Sequence, residues 1–360
     1  MTDAGKSLEK GLISVVMSNY NTPSNYLRMA IESVLNQTYT NFEFIIIDDG
    51  STDGSLEVIR SYDDPRIVIL CNEKNIGLTR SLNKGFELCR GEYIARMDAD
   101  DICHPERFEK QLSFMREHPD VIVCGSLAKY INEESKYTGI ERHFTIPERE
   151  AYRVYLLFGN CPYIMHPSAF FNHSLLLKYH IKYNENYRYA QDYRMWVDCS
   201  QKAECAIVPE YLLKYRVHQK AITQEKRHIQ NECAYRIIQE QLEALHLSLS
   251  DELMPLHSYF LTSSEKPYDV RLIKWMRKII SANRKHHVLS QKLLKQLLYN
   301  RLCGICYSRL SKSSSIVDFF VVLSTVPIHC IWIMIKEFTC NRFRKIFCRG
   351  KNEASSDTIR

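Results

Sequence analysis

Glycine-rich phosphate loops are missing from this chain. No Gly-x-Gly-x-x-Gly follows the first apolar strand, which argues against a dinucleotide cofactor, and no Gly-x-x-x-x-Gly-Lys-Ser/Thr loop is present, which argues against a P-loop nucleotidase. Charge of one sign is also scarce: 48 Lys and Arg stand against 42 Asp and Glu, a net +6. With no RNA or DNA module signature, nucleic acid is not an expected partner. Residues 1–10 are polar and hold no apolar h-region. The 13 cysteines are odd in number and scattered through apparent helices and strands, so reduced, cytosolic thiols are expected. Cys303-Gly304-Ile305-Cys306 lacks a second pair to complete a zinc set and reads as helix. A composition 45% hydrophobic and 25% charged is globular, and 360 residues suit two structural units.

What the chain does hold is acid at the ends of buried strands. Tyr93-Ile94-Ala95-Arg96-Met97-Asp98-Ala99-Asp100-Asp101 reads as an apolar strand that turns acidic at its C-terminal end. On an extended backbone Asp98 and Asp100 point the same way, and two carboxylates so placed repel unless a cation lies between them. Such hard oxygen ligands suit Mg²⁺ or Mn²⁺. The same residues would also serve as an acidic loop capping the next helix, with Asp101 as the cap.

Around this run the first hundred residues alternate strand and helix. Leu12 to Met17 is a strand, Pro23 and Ser24 open a helix, and Phe42 to Ile47 is a strand ending in Asp48-Asp49-Gly50-Ser51-Thr52-Asp53. A helix over Ser55 to Tyr62, a strand Ile67 to Leu70, the Asn75-Ile76-Gly77 turn and a helix Leu78 to Cys89 follow, and Gly91 breaks into the acidic strand. That alternation argues an α/β fold with a parallel, doubly wound sheet. In such sheets neighbouring C-terminal strand edges converge on one cleft. There Asp48 would take a hydrogen bond from a nucleobase, Tyr20 would stack on it, Asp98 would bind a ribose hydroxyl and Asp100 a metal on a diphosphate. Taken singly, Asp48 to Ser51 also reads as a turn with a helix cap and Tyr20 as a core-edge tyrosine. Together those readings leave the recurrence of acids at strand ends unexplained.

Farther on, Pro105 opens a helix through Glu117, and Val121 to Val123 is a strand closed by Cys124-Gly125. Residues 129–149 read as strands or loops. His166-Pro167-Ser168 precedes an apolar strand, Tyr183 to Tyr189 reads as a loop, and Ala190-Gln191-Asp192 starts a helix. The helix dipole favours an acid in that first turn and keeps Asp192 ionised, as a base must be. Trp196, one turn on, shares its face and reads either as a sugar platform or as a core tryptophan. Tyr211 to His218 is a strand ending in histidine. From about Glu225 the pattern is helical, with Val270 to Leu302 rich in Lys and Arg. Ile316 to Ile335 is largely apolar but holds Asp318 and Pro327, and Lys336, Arg342, Arg344, Lys345, Arg349 and Lys351 alternate with aromatics after it. Peripheral docking on an anionic membrane, a true span and a helix packed on the rest all remain open, with docking the leading expectation.

Taken together, Ser14 to Asn21, Asp48 to Asp53, Asn75 to Leu78, Met97 to Asp101, His166 to Ser168 and Gln191 to Trp196 resemble the family 2 glycosyltransferases from about Leu12 to Thr223. The resemblance implies a GT-A (Rossmann-like, nucleotide-diphospho-sugar-binding) fold with a helical C-terminal extension. It implies a nucleotide-sugar half over 1–110 and an acceptor half over 111–224; beyond the match, the helical pattern reads as a helical region over 225–312 and the apolar and basic residues as a membrane-associating tail over 313–360. Ser18, Tyr20, Asp48, Arg80 and Asp98 are then the nucleotide-binding set, Asp100 and His218 the metal set, His166 and Trp196 the acceptor set, and Asp192 the catalytic base. The family usually has Glu-Asp where this chain has Gln191-Asp192.

The expected reaction is metal-dependent transfer, with inversion, from a nucleotide sugar, UDP-hexose by analogy, to a sugar hydroxyl. The expected acceptor is a lipid-linked precursor of O-antigen, capsule or lipopolysaccharide at the cytoplasmic face of the inner membrane. Two other readings compete: a nucleotidyltransferase, which would want a glycine-rich triphosphate loop near the first strand, and a non-catalytic scaffold, which would not need acids at 48, 98, 100 and 192.

Overall fold

In the computed structural model the expected alternation forms as β1 (Glu9–Asn19), α1 (Ser24–Leu35), β2 (Phe42–Asp48), α2 (Ser55–Arg60), β3 (Ile67–Cys71), α3 (Leu78–Leu88) and β4 (Gly91–Asp98). The structure describes residues 7–142, 146, 148–159, 164–217, 227–259 and 270–312. They fall into two compact units, one within 1–156 and 161–237, the other within 157–160 and 238–360.

In the first unit β3, β2, β1 and β4 lie side by side and parallel, in that order. Crossover helices cover the sheet, which is why β2 is mostly apolar and buried along its whole length. The chain leaves β1 toward β2 and β3, then returns to place β4 on the other side. A reversal of this kind opens a crevice at the C-terminal strand ends. Register brings the ends level, with Ser18 opposite Ile47 and Asp98, and Asn19 opposite Asp48. The core beneath is apolar and interlocked, as where Phe42 meets Phe108 edge-on at 5.6 Å.

Beyond β4 come β5 (Ile102–Cys103), α4 (Arg107–Glu117), β6 (Val121–Ile131), β7 (Tyr137–Arg142), α5 (Arg149–Leu157), a 3-10 turn (His166–Ser168), β8 (Phe170–Asn172), α6 (His173–Tyr179), α7 (Gln191–Lys202) and β9 (Glu204–Arg216). The sheet turns mixed here. β8 runs antiparallel to β4 and β6, β6 is parallel to β9, and β7 pairs with β6.

Two strands differ from their sequence expectation. Cys124-Gly125 does not close β6, which continues to Ile131. Gly125 is there for close approach, because a Cβ would lie 2.8 Å from Ile164 Cγ2. β9 starts at Glu204, well before Tyr211. Pro209 hides the strand in the sequence, since proline cannot donate to a ladder. The register steps from Ser126 opposite Val208 to Leu127 opposite Tyr211, leaving Pro209 and Glu210 out of the pairing.

The second unit carries α9 (Met254–Tyr259), α10 (Val270–His286) and α11 (Gln291–Lys312), and α8 (Arg227–Glu243) runs into it. Ile237, Leu242, Leu245 and Leu247 are buried, as their spacing predicts. α10 buries Leu272, Ile273, Trp275, Met276, Ile279 and Ile280, and exposes Arg271, Lys274, Arg277, Lys278, Arg284 and Lys285. Cys303 and Cys306 fall within α11, as helix residues. No helix among the described residues is long and apolar enough to cross a membrane. The apolar stretch 316–335, the basic tail and His218 lie outside the described residues.

Candidate active site

Three acids close off the crevice. Asp98 ends β4, Asp100 and Asp101 follow it, and one carboxylate oxygen from each lies within 4.8 Å of the others. Asp98 and Asp100 are half-buried and Asp101 is buried. Asp101 is not a helix cap: its Oδ1 accepts the Arg216 backbone N–H at 2.8 Å, and its Oδ2 is buried with no hydrogen-bond partner among the described residues. Burial pushes the Asp101 carboxyl well above the usual range, and the charges of Asp100 and Asp98 push the same way. Asp98 pairs with the buried Arg96 guanidinium. Its pKa is nevertheless raised, by burial first and by the charges of Asp100 and Asp192.

Level with them, the loops after β1 and β2 are knitted together. Buried Asp48 accepts from Asn19 Nδ2 at 2.9 Å and from the Ser51 N–H at 3.1 Å. Asn21 N–H donates to Ser51 Oγ at 3.1 Å, and the Thr52 N–H donates to Asn21 Oδ1 at 2.8 Å. Gly50 has φ +72°, and a Cβ there would sit 2.6 Å from the Lys74 carbonyl carbon, so only glycine fits. Asp49 holds the next loop through Asn72 Nδ2 and the Ile76 and Gly77 N–H groups, each at 2.9 Å. Tyr20 projects from this rim, 48% exposed.

The other wall comes from the turn before β8 and from α7. Arg107 Nη2–H donates to the Arg96 and Ala169 carbonyls at 2.9 and 3.4 Å, and Gln111 Nε2–H to Ser168 O at 2.9 Å. These bonds fasten the His166–Ser168 turn to α4. His166 Nε2 lies 2.7 Å from the Tyr183 hydroxyl. Burial, then the Arg96 charge, holds His166 well below the usual histidine range, so it is neutral at pH 7. Tyr183 is clamped by Asn83 of α3, which accepts its N–H at 3.1 Å and donates to its carbonyl at 2.9 Å. The Tyr183 hydroxyl is pushed up by burial, and the charges of Asp192 and Asp98 also act to raise it. Asp192 stands in the first turn of α7 as expected.

With this geometry in place, comparison with known proteins is informative. The sequence model described as Glycosyl transferase family 2 matches residues 14–179. An uncharacterized glycosyltransferase of Haemophilus influenzae is 32% identical over 301 residues, 80% of this chain and 84% of its own. The chain belongs to glycosyltransferase family 2. The amylovoran biosynthesis glycosyltransferase AmsE of Erwinia amylovora is 41% identical over 129 residues, 35% of this chain and 48% of its own. Among solved structures, S. aureus TarS 1–349 in complex with UDP-GlcNAc superposes with a TM-score of 0.53 at 18% identity, covering 83% of this chain and 87% of that one. The fold is therefore the expected GT-A arrangement with added C-terminal helices. The protein is a glycosyltransferase, which sets aside the nucleotidyltransferase and scaffold readings.

For a family 2 enzyme the placement of the expected residues is then instructive. Ser18, Asp48 and Asp98 sit on adjacent strand ends. Asp192 comes close enough to Asp98 for its charge to count there. Arg80 pairs with Glu185 at 3.0 Å, with both side chains largely exposed. Trp196 is a correction. It is fully buried, its ring stacks on Phe171 at 6.0 Å, and its indole N–H has no acceptor among the described residues. It cannot be a sugar platform; it supports His166 edge-on from behind, at 6.2 Å. From sequence, Arg96, Tyr183 and Arg216 have no assigned role, and Asp101 only that of a helix cap. The run Asp98-Ala99-Asp100-Asp101 was the one available signal for Asp101.

The acid cluster suits a divalent cation. It is an all-oxygen set, the charge of Asp100 helps raise the carboxyls of Asp98 and Asp101, and buried Asp101 Oδ2 has no hydrogen-bond partner among the described residues.

Proposed function

We propose that this protein moves a hexose from a UDP-sugar to a sugar hydroxyl on a lipid-linked glycan precursor, with inversion and with Mn²⁺ or Mg²⁺ bound. One observation carries the reading. The charge of the base candidate Asp192 acts on Asp98, and a carboxylate oxygen of Asp98 lies within 4.8 Å of those of Asp100 and Asp101. Donor and acceptor ends of a transfer reaction have to meet in such a place.

Asp192 accepts the proton of the acceptor hydroxyl as its oxygen attacks the anomeric carbon. The new glycosidic C–O bond forms as the bond to the diphosphate oxygen breaks, and the nucleoside diphosphate leaves with that electron pair. When bound, a cation held by Asp100 with Asp98 and Asp101 supplies positive charge to the departing diphosphate. Asp48 and Tyr20 hold the base, Ser18 and Asp98 the ribose side, and His166 the acceptor. Arg80 leaves Glu185 to join the diphosphate, and His218 completes the metal set. A single base and a single displacement give inversion.

Polymer building is supported by the name of the AmsE relative. A position at the cytoplasmic face of the inner membrane is supported by charge. Val270 to Lys312 contains no Asp or Glu, and the aromatic stretch 336–351 holds six Lys and Arg against one acid, Glu337.

The test is a screen of nucleotide sugars against the full chain with and without Mn²⁺, reading thermal shift and donor hydrolysis. A metal-dependent shift with one UDP-hexose, and slow release of UDP, is expected. Equal response with EDTA present removes the metal from the reading, and no response to any UDP-sugar removes the donor.

A further inference from the structure

Arg216 is buried, 2% exposed, at the end of β9. A guanidinium is kept in such a place only by a full set of partners, and here they come from several separate segments. Nε–H donates to the Asp100 carbonyl at 2.8 Å, and the backbone N–H to Asp101 Oδ1 at 2.8 Å. Nη1–H donates to the Asn132 carbonyl at 2.9 Å and to Ser135 Oγ at 2.8 Å, both in the β6–β7 turn. The guanidinium carbon lies 4.1 Å from the centre of the Tyr26 ring on α1. Arg216 thus fixes the acidic loop from two sides and ties it to a helix and a turn that carry no acid of the cluster.

We propose that Arg216 is the positioning residue of the cation site, setting the spacing of Asp100 and Asp101. This rests on the metal-dependent reading above. Three carboxylates that repel one another would spread if the loop were free, and a spread cluster binds a cation less well. Arg216 holds them at the close spacing the cation needs before it arrives. A planar fork is required, because one group must reach the Asp100 carbonyl and the turn at once, and lysine cannot.

Mn²⁺ binding to the full chain, followed by the EPR signal of free Mn²⁺ without any sugar nucleotide, tests this. Partners that orient metal ligands are typically worth about 10- to 100-fold in metal affinity. Arg216→Lys should therefore weaken Mn²⁺ binding at least tenfold, and kcat should recover to the wild-type value at saturating Mn²⁺. Ser135→Ala removes one anchor and leaves the acidic loop untouched, so it serves if Arg216→Lys fails to fold. It should weaken binding several-fold. A purely structural role predicts a lower melting temperature with unchanged Mn²⁺ affinity in both variants, and that result overturns the inference alone. Absence of Mn²⁺ binding in the wild-type protein overturns the metal reading along with it.

Discussion

The charge of Asp192, in the first turn of α7, reaches Asp98 at the end of β4 and helps raise its carboxyl pKa. Two residues 94 positions apart are thereby joined in one electrostatic site, and their separate tasks can be tested by separating them. Asp192→Asn keeps the shape and removes the base. The expected result is a fall in kcat of about 10²- to 10⁴-fold, the usual worth of general base catalysis. The dissociation constant for the sugar nucleotide, read by calorimetry, should stay within about threefold of the wild-type value. A variant that transfers sugar at the normal rate removes Asp192 from the chemistry.

Trp196 offers the opposite test, since it was expected in contact with acceptor and the structure buries it. Truncating a buried Trp costs about 3–5 kcal/mol, so Trp196→Ala should lower the melting temperature sharply. Trp196→Phe keeps the stacking on Phe171 and removes an indole N–H that has no acceptor among the described residues. Its loss of packing is offset by removal of a buried unpaired donor, worth about 1–3 kcal/mol. Stability should therefore change little, and the acceptor KM should be unchanged. A large rise in KM for Trp196→Phe at unchanged stability would restore the platform reading.

Much of this was legible in the sequence because it is local. Strand β2 announces itself by its Phe44–Ile47 apolar run, and the acids at 48, 98 and 100 stand at or after the ends of strands that must converge in a parallel sheet. Asp192 is marked by its place in a first helical turn. What was illegible depends on long-range partners. Arg80 shows no trace in the sequence of its pairing with Glu185, 105 residues away. Trp196 is on the same helix as Asp192, but which face the sheet covers is decided by Phe171. Asp101 reads as a cap until Arg216, 115 residues on, takes its carboxylate. β9 was cut short by a proline that a register shift absorbs.

The exposed row on α10 makes a prediction about surfaces. Arg271, Lys274, Arg277, Lys278, Arg284 and Lys285 all face solvent, with no acid on that helix. Each Lys or Arg close to an anionic bilayer contributes about 1 kcal/mol, screened by salt. The full chain should sediment with vesicles of mixed phosphatidylglycerol and phosphatidylcholine, and not with phosphatidylcholine alone. Replacing Lys274, Lys278, Arg284 and Lys285 with Gln should weaken that binding at least tenfold at low salt. Binding that is indifferent to phosphatidylglycerol would show that charge does not direct the contact.

Acid should loosen the helical unit through His257. This residue is buried, with Nε2 at 2.8 Å from the Leu157 carbonyl and Nδ1 accepting from Trp275 Nε1–H at 3.0 Å. A carbonyl cannot donate and an indole N–H cannot accept, so the ring is the neutral tautomer with its proton on Nε2. Burial lowers its pKa to about 4, against 6.5 for an exposed histidine. The folded state therefore binds fewer protons than the unfolded state between those values, and stability rises with pH there. The contribution is complete above pH 6.5, is lost as pH falls toward 4, and amounts to about 3 kcal/mol across the window. Protonating Nδ1 also sets an N–H against the Trp275 N–H, which points the same way. His257→Gln cannot titrate. Its urea-unfolding free energy should fall less steeply than that of the wild-type protein between pH 6.5 and 4, by about that amount. Parallel curves for the two proteins would mean that His257 stays uncharged in both folded and unfolded chains, or is charged in both, and the linkage would be gone.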